Sequence, residues 1–129
     1  MKTNNIIYWI ARLISAIIMA QTLFFKFSGA PESVEIFTKM GIEPWGRIGT
    51  GVMELVASAL LLMNSTARWG ALLACGLMTG AIGSHLFVLG IEVRNDGGYL
   101  FSLALIVMVT SLYVLWVNRQ KFMVMFSKA

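Results

Sequence analysis

The sequence predicts an all-α fold: an integral membrane bundle of four spanning helices, with a short amphipathic interfacial helix after the first span. Three observations carry that expectation. The 129 residues are 58% hydrophobic and only 12% charged, with a mean hydropathy of +0.79, whereas a soluble domain is about 25% charged and about 45–50% apolar. The apolar residues gather into four runs, each close to the ~20 residues a helix needs to cross a hydrocarbon layer about 30 Å thick. The charged residues lie mostly at the ends of those runs, where they set orientation. Residues 1–129 therefore read as a single membrane domain. The formal charge of +4 does not point to nucleic acid, because the bases form no dense patch.

The first span is expected over residues 6–27. Lys2 ahead of an apolar stretch invites comparison with a signal peptide, but Arg12 interrupts the stretch, which is also too long and lacks a small-residue cleavage site. The helix is expected to be retained. Gly29 and Pro31 end it, since proline disfavours a helical residue before it. In residues 31–40, Val34, Phe37 and Met40 recur at helical spacing, with Glu32, Glu35 and Lys39 elsewhere on the wheel. That segment is too short to span and is expected to lie at the interface. Trp45 then anchors the second span, residues 46–63, at the membrane surface.

Asn64, Ser65 and Thr66 form a tight turn that puts a cap-type residue before the third span, residues 67–89. Gly76, Gly80 and Gly83 give that span a small-residue face, expected to pack closely inside the bundle. A polar connector over residues 91–98 leads to the fourth span, residues 99–117, whose only ionisable groups are Tyr99 at its start and Tyr113. It is expected to supply packing surface. The tail mixes Arg119, Lys121 and Lys128 with apolar residues, as in a short helix lying on the membrane.

Four spans place both termini on one side. That side carries Lys2, Arg68, Arg119, Lys121 and Lys128 with no acid, while the other dilutes Lys39, Arg47 and Arg94 with Glu32, Glu35, Glu43, Glu92 and Asp96. Positively charged loops stay inside, so the expectation is a multi-pass protein of a bacterial inner membrane with both termini cytoplasmic.

Glu54 stands out as a lone carboxylate within an apolar run. At ~1.5 Å per residue it lies ~15 Å below Pro44. A carboxylate at such depth costs at least ~2.5 kcal/mol, so it should face protein and hold a partner. By depth along the helices Arg12 is the first choice of partner and Lys26 the second. Gln21 and His85 add polar capacity in the same volume, together with Thr22, Ser58, Thr79 and Ser84. The set reads either as a structural ion pair that locks helices in register or as a polar floor for a small ligand.

One histidine cannot supply a several-ligand metal set, so no metal is expected and His85 reads as an interfacial residue. The nine methionines read as packing and the single Cys75 as a small buried hydrophobe. No nucleophile–base pair, phosphate loop or dinucleotide fingerprint is present, and no catalytic residue set can be assigned.

Three stretches resemble the DoxX family: Phe25-Lys26-Phe27-Ser28-Gly29 at the end of the first span, Met40-Gly41-Ile42 with the later Gly49 and Glu54, and Gly80-Ala81 with His85. The likeness extends over nearly the whole chain. It implies a small four-helix inner-membrane protein acting as a membrane subunit or anchor of a redox complex, with quinone as the implied cofactor and a redox protein or a second copy as partner. Relatives include a thiosulfate:quinone oxidoreductase subunit and members of thiol-redox complexes. Cys75 offers no vicinal dithiol for thiol chemistry by this chain itself. The alternative is a non-redox membrane protein, a small-solute carrier or an assembly factor, in which the Glu54 ion pair is structural.

Overall fold

The computed structural model describes residues 2–92 and 96–127. Its elements are α1 (Lys2–Ser28), α2 (Pro31–Lys39), α3 (Trp45–Leu62), α4 (Ala67–Ser84), a π-helical turn continuing α4 (His85–Leu89), α5 (Tyr99–Val117) and α6 (Arg119–Ser127). Among the described residues, four stretches are long and apolar enough to cross a membrane: Asn5–Ser28, Trp45–Leu62, Ala67–Leu89 and Tyr99–Val117. The predicted all-α bundle is therefore present, with its short helix after the first span. Residues 93–95 of the polar connector and Lys128 of the tail lie outside the described residues.

Local chemistry sets the breaks. α1 stops at Gly29, whose φ of +70° suits a residue without Cβ, and the Ala30 N–H donates back to the Phe25 carbonyl at 3.0 Å. Pro31 then opens α2 at a position where its fixed φ fits and its missing N–H leaves nothing unsatisfied. α2 ends in the same way at Gly41 (φ +76°), with the Ile42 N–H on the Phe37 carbonyl at 3.0 Å. Thr66 occupies the cap position of α4, but its hydroxyl donates to the Leu60 carbonyl at 3.0 Å. It closes the end of α3 instead of opening α4.

The four long helices form a ring. α1 packs against α3 and α5, and α4 closes the circle against the same two. The buried contacts are dominated by small side chains, among them Ala11, Ala16, Ala57, Ala71 and Ala74. Lipid is as apolar as leucine, so helices in a bilayer associate through close approach and interhelical hydrogen bonds. Ser15 supplies such bonds, its Oγ standing 2.5 Å from Thr110 Oγ1 and 3.1 Å from Ser111 Oγ, so α5 contributes polar ties as well as packing surface. Outward-facing Phe24, Leu55, Phe87 and Val109 are left for lipid to cover.

The close helix contact is not where the glycine pattern predicts it. A Cβ on Gly76, Gly80 or Gly83 would meet nothing within 4 Å. On Gly70 it would fall 2.7 Å from the Leu61 nitrogen and 2.8 Å from the Ala57 oxygen. Backbone contact between α3 and α4 is therefore made near their connecting turn, and the later glycines of α4 face open space.

Candidate functional site

The open space at Gly76 and Gly80 belongs to a cavity of about 670 Å³ in the half of the bundle nearer α2. Its walls are largely apolar, with Ile18 and Met19 from α1, Leu77 from α4, and Leu103 and Val107 from α5. α2 lies over it and contributes Ser33 and Phe37, both buried. Into this apolar space project Lys26, Glu54 and His85.

Glu54 is only 4% exposed, and Lys26 Nζ stands 2.8 Å from its Oε1. The contact is an ion pair, and among the described residues no other group bonds to that oxygen. Lys26 also donates to Thr22 Oγ1 at 3.4 Å, and Thr22 donates in turn to the Met19 carbonyl at 2.8 Å. The partner of Glu54 is thus Lys26, whereas depth alone favours Arg12.

Arg12, 1% exposed, faces the other end of the bundle. Its Nε donates to the Leu61 carbonyl at 2.7 Å and its Nη1 to Asn64 Oδ1 at 3.0 Å, while its guanidinium carbon lies 3.7 Å from the Trp9 ring centroid. It ties α1 to the end of α3 and the following turn, outside the cavity. Gln21 is exposed on α1 and does not line the cavity either. Of the other hydroxyls, Ser58 donates to the Glu54 carbonyl at 2.8 Å, and Thr79 and Ser84 each donate one turn back along α4 at 2.7 Å.

His85 is buried, at 6% exposure. It opens the π-helical turn, with Nδ1 3.0 Å from the Gly90 carbonyl and the ring edge-on to Phe101 at 5.5 Å. Since a carbonyl only accepts, Nδ1 carries the proton and a neutral ring leaves Nε2 as an acceptor. Single π turns recur at functional sites. Hydropathy gives no sign of this one.

Two positioning residues carry weaker signals. Arg47 donates through Nε to both oxygens of Glu43, at 2.9 and 3.1 Å, and through Nη1 to the Lys26 carbonyl, which fixes the end of α1 beside α3. The Glu43/Arg47 spacing of four was the available signal for it. Asp96 accepts from the N–H groups of Gly98 (2.8 Å) and Leu100 (3.2 Å), capping α5 at the cavity rim. Cys75 is free, and among the described residues no three His, Cys, Asp or Glu side chains gather as metal ligands.

The arrangement is a space of the size small-molecule sites have, about 300–1,000 Å³. It offers the Lys26 ammonium, the Glu54 carboxylate and the His85 imidazole within largely apolar walls, with Glu32 and Asp96 also on the lining. A family model for DoxX matches residues 7–90, from α1 to the end of the π-helical turn, and so includes Lys26, Glu54 and His85. No curated protein and no solved structure matches the chain. With about two thirds of its length matched, this chain belongs to the DoxX family.

Proposed function

We propose that this protein binds the head group of a membrane quinone in the cavity under α2 and serves as the membrane subunit or anchor of a redox complex. The observation that carries the reading is the Lys26–Glu54 pair and His85 together on the walls of a largely apolar cavity, whose other acidic groups are Glu32 and Asp96. A quinone ring is flat and apolar with two carbonyl oxygens, and its reduced form presents two hydroxyls. Lys26 suits a carbonyl as donor, and Glu54 and the His85 ring suit hydroxyls as acceptors. The protein would sit in a bacterial inner membrane with both termini cytoplasmic, as the excess of lysine and arginine near the termini favours.

A second reading, a structural ion pair in a non-redox carrier or assembly factor, draws on the fact that Lys26 meets the charge of Glu54 without any ligand. One experiment separates them. The full chain is extracted from native membranes in mild detergent and its bound lipids are identified. Near-stoichiometric prenyl quinone is expected, depleted in Glu54→Gln and in Gly80→Leu, which fills open space in the cavity. A clean, ligand-free bundle would leave the structural reading standing.

A further inference from the structure

We infer that the cavity takes a ligand with a long apolar tail and that the tail leaves sideways, between α3 and α4 at Gly76, into a groove on the lipid-facing surface. This rests on the quinone reading and deepens it, since it separates prenyl-tailed ligands from tail-less solutes arriving through water. The groove measures about 440 Å³ and is lined by Met53, Trp69, Leu72, Leu73, Gly76 and Leu77, with no charged side chain among them. Gly76 and Leu77 also line the internal cavity, so the two spaces share a wall. At Gly76 that wall has no side chain, and a Cβ there would meet nothing within 4 Å.

The level of the opening matches the polar groups. Met53 lines the groove and its neighbour Glu54 lines the cavity, so successive residues of one helical turn face the two spaces. A head group held at Glu54 is therefore about one helix width from the groove. The α2 end of the cavity is the wrong exit for hydrocarbon, because Glu32, Ser33 and Asp96 border it. Nearer the connecting turn, α3 and α4 are shut by the contact at Gly70. Along the α3–α4 seam, the gap at Gly76 is the apolar opening that adjoins the groove.

The test uses the full chain in phospholipid nanodiscs and two photoreactive prenyl benzoquinones, one with an azide on the ring and one with a diazirine at the tail end. Peptide mapping should place the ring label on cavity residues and the tail label on Met53, Leu72 or Leu73. Gly76→Leu should reduce the tail label in the groove about tenfold or more, since the leucine side chain would occupy the gap through which the tail passes. Leu72→Trp, which fills the groove from the lipid side without touching the cavity, should do the same with the ring label retained; it keeps the test decisive if Gly76→Leu does not fold. Ring label in the cavity with tail label on another helix face, or tail label unmoved by a folded variant, overturns the sideways path and leaves the quinone reading intact. Absence of ring label from the cavity overturns both.

Discussion

Glu54 pairs with Lys26 because of the direction in which helical side chains lean. Each Cα–Cβ bond tilts toward the N-terminus of its helix. α1 and α3 run antiparallel, so Lys26 leans down from the α2 end and Glu54 leans up to meet it, while Arg12 leans away toward the termini. Depth counted at 1.5 Å per residue omits that tilt. Glu54→Leu alone strands a largely enclosed ammonium and is expected to cost up to about 3–5 kcal/mol, and Lys26→Leu should recover most of it in the double variant. Arg12→Leu leaves the Leu61 carbonyl and Asn64 without their donor, and its cost of about 1–3 kcal/mol should simply add to that of Glu54→Leu. Melting temperatures in detergent decide the matter: strong coupling of Glu54 to Arg12 and none to Lys26 would overturn the assignment.

Among the elements, the α3–α4 pair holds the bundle shut at one end and open at the other. Gly70 is the contact that matters, because the atoms a Cβ would strike belong to the backbone of α3 and cannot rotate aside. Gly70→Ala is expected to destabilise by about 1–3 kcal/mol through overpacking. Gly76→Ala and Gly80→Ala meet open space and should be neutral or stabilising by about 0.5–1 kcal/mol, since alanine is the better helix former. Thermal unfolding of the three single variants is the check, and equal losses at all of them would mean that the glycine face is packed after all. The π-helical turn at His85–Leu89 belongs to the same open end, where it brings His85 into the cavity.

For the whole molecule, the expected orientation puts the termini and the α3–α4 turn on one side of the membrane and α2 and the cavity rim on the other. In a Cys75→Ser background, Lys2→Cys should be shielded from a membrane-impermeant thiol reagent in intact cells, and Glu35→Cys should react. Reaction of both from outside would refute four crossings, and reaction of Lys2→Cys alone would invert the protein. In the expected orientation the cavity mouth faces away from the cytoplasm.

Hydropathy and punctuation by themselves determined the all-helical bundle, its spanning stretches and the helix α2, because in a bilayer every backbone group must be satisfied within its own helix. They also singled out Glu54, Lys26 and His85, since an ionisable group in an apolar run is conspicuous. Only the tertiary structure decided which base meets Glu54, that Gln21 faces outward, that Gly70 is the close contact, and that Ser15 ties α1 to α5. Those outcomes depend on how four helices are rotated and tilted about one another. Rotation and tilt are set by steric fit between distant segments, which a pattern read along one chain does not contain.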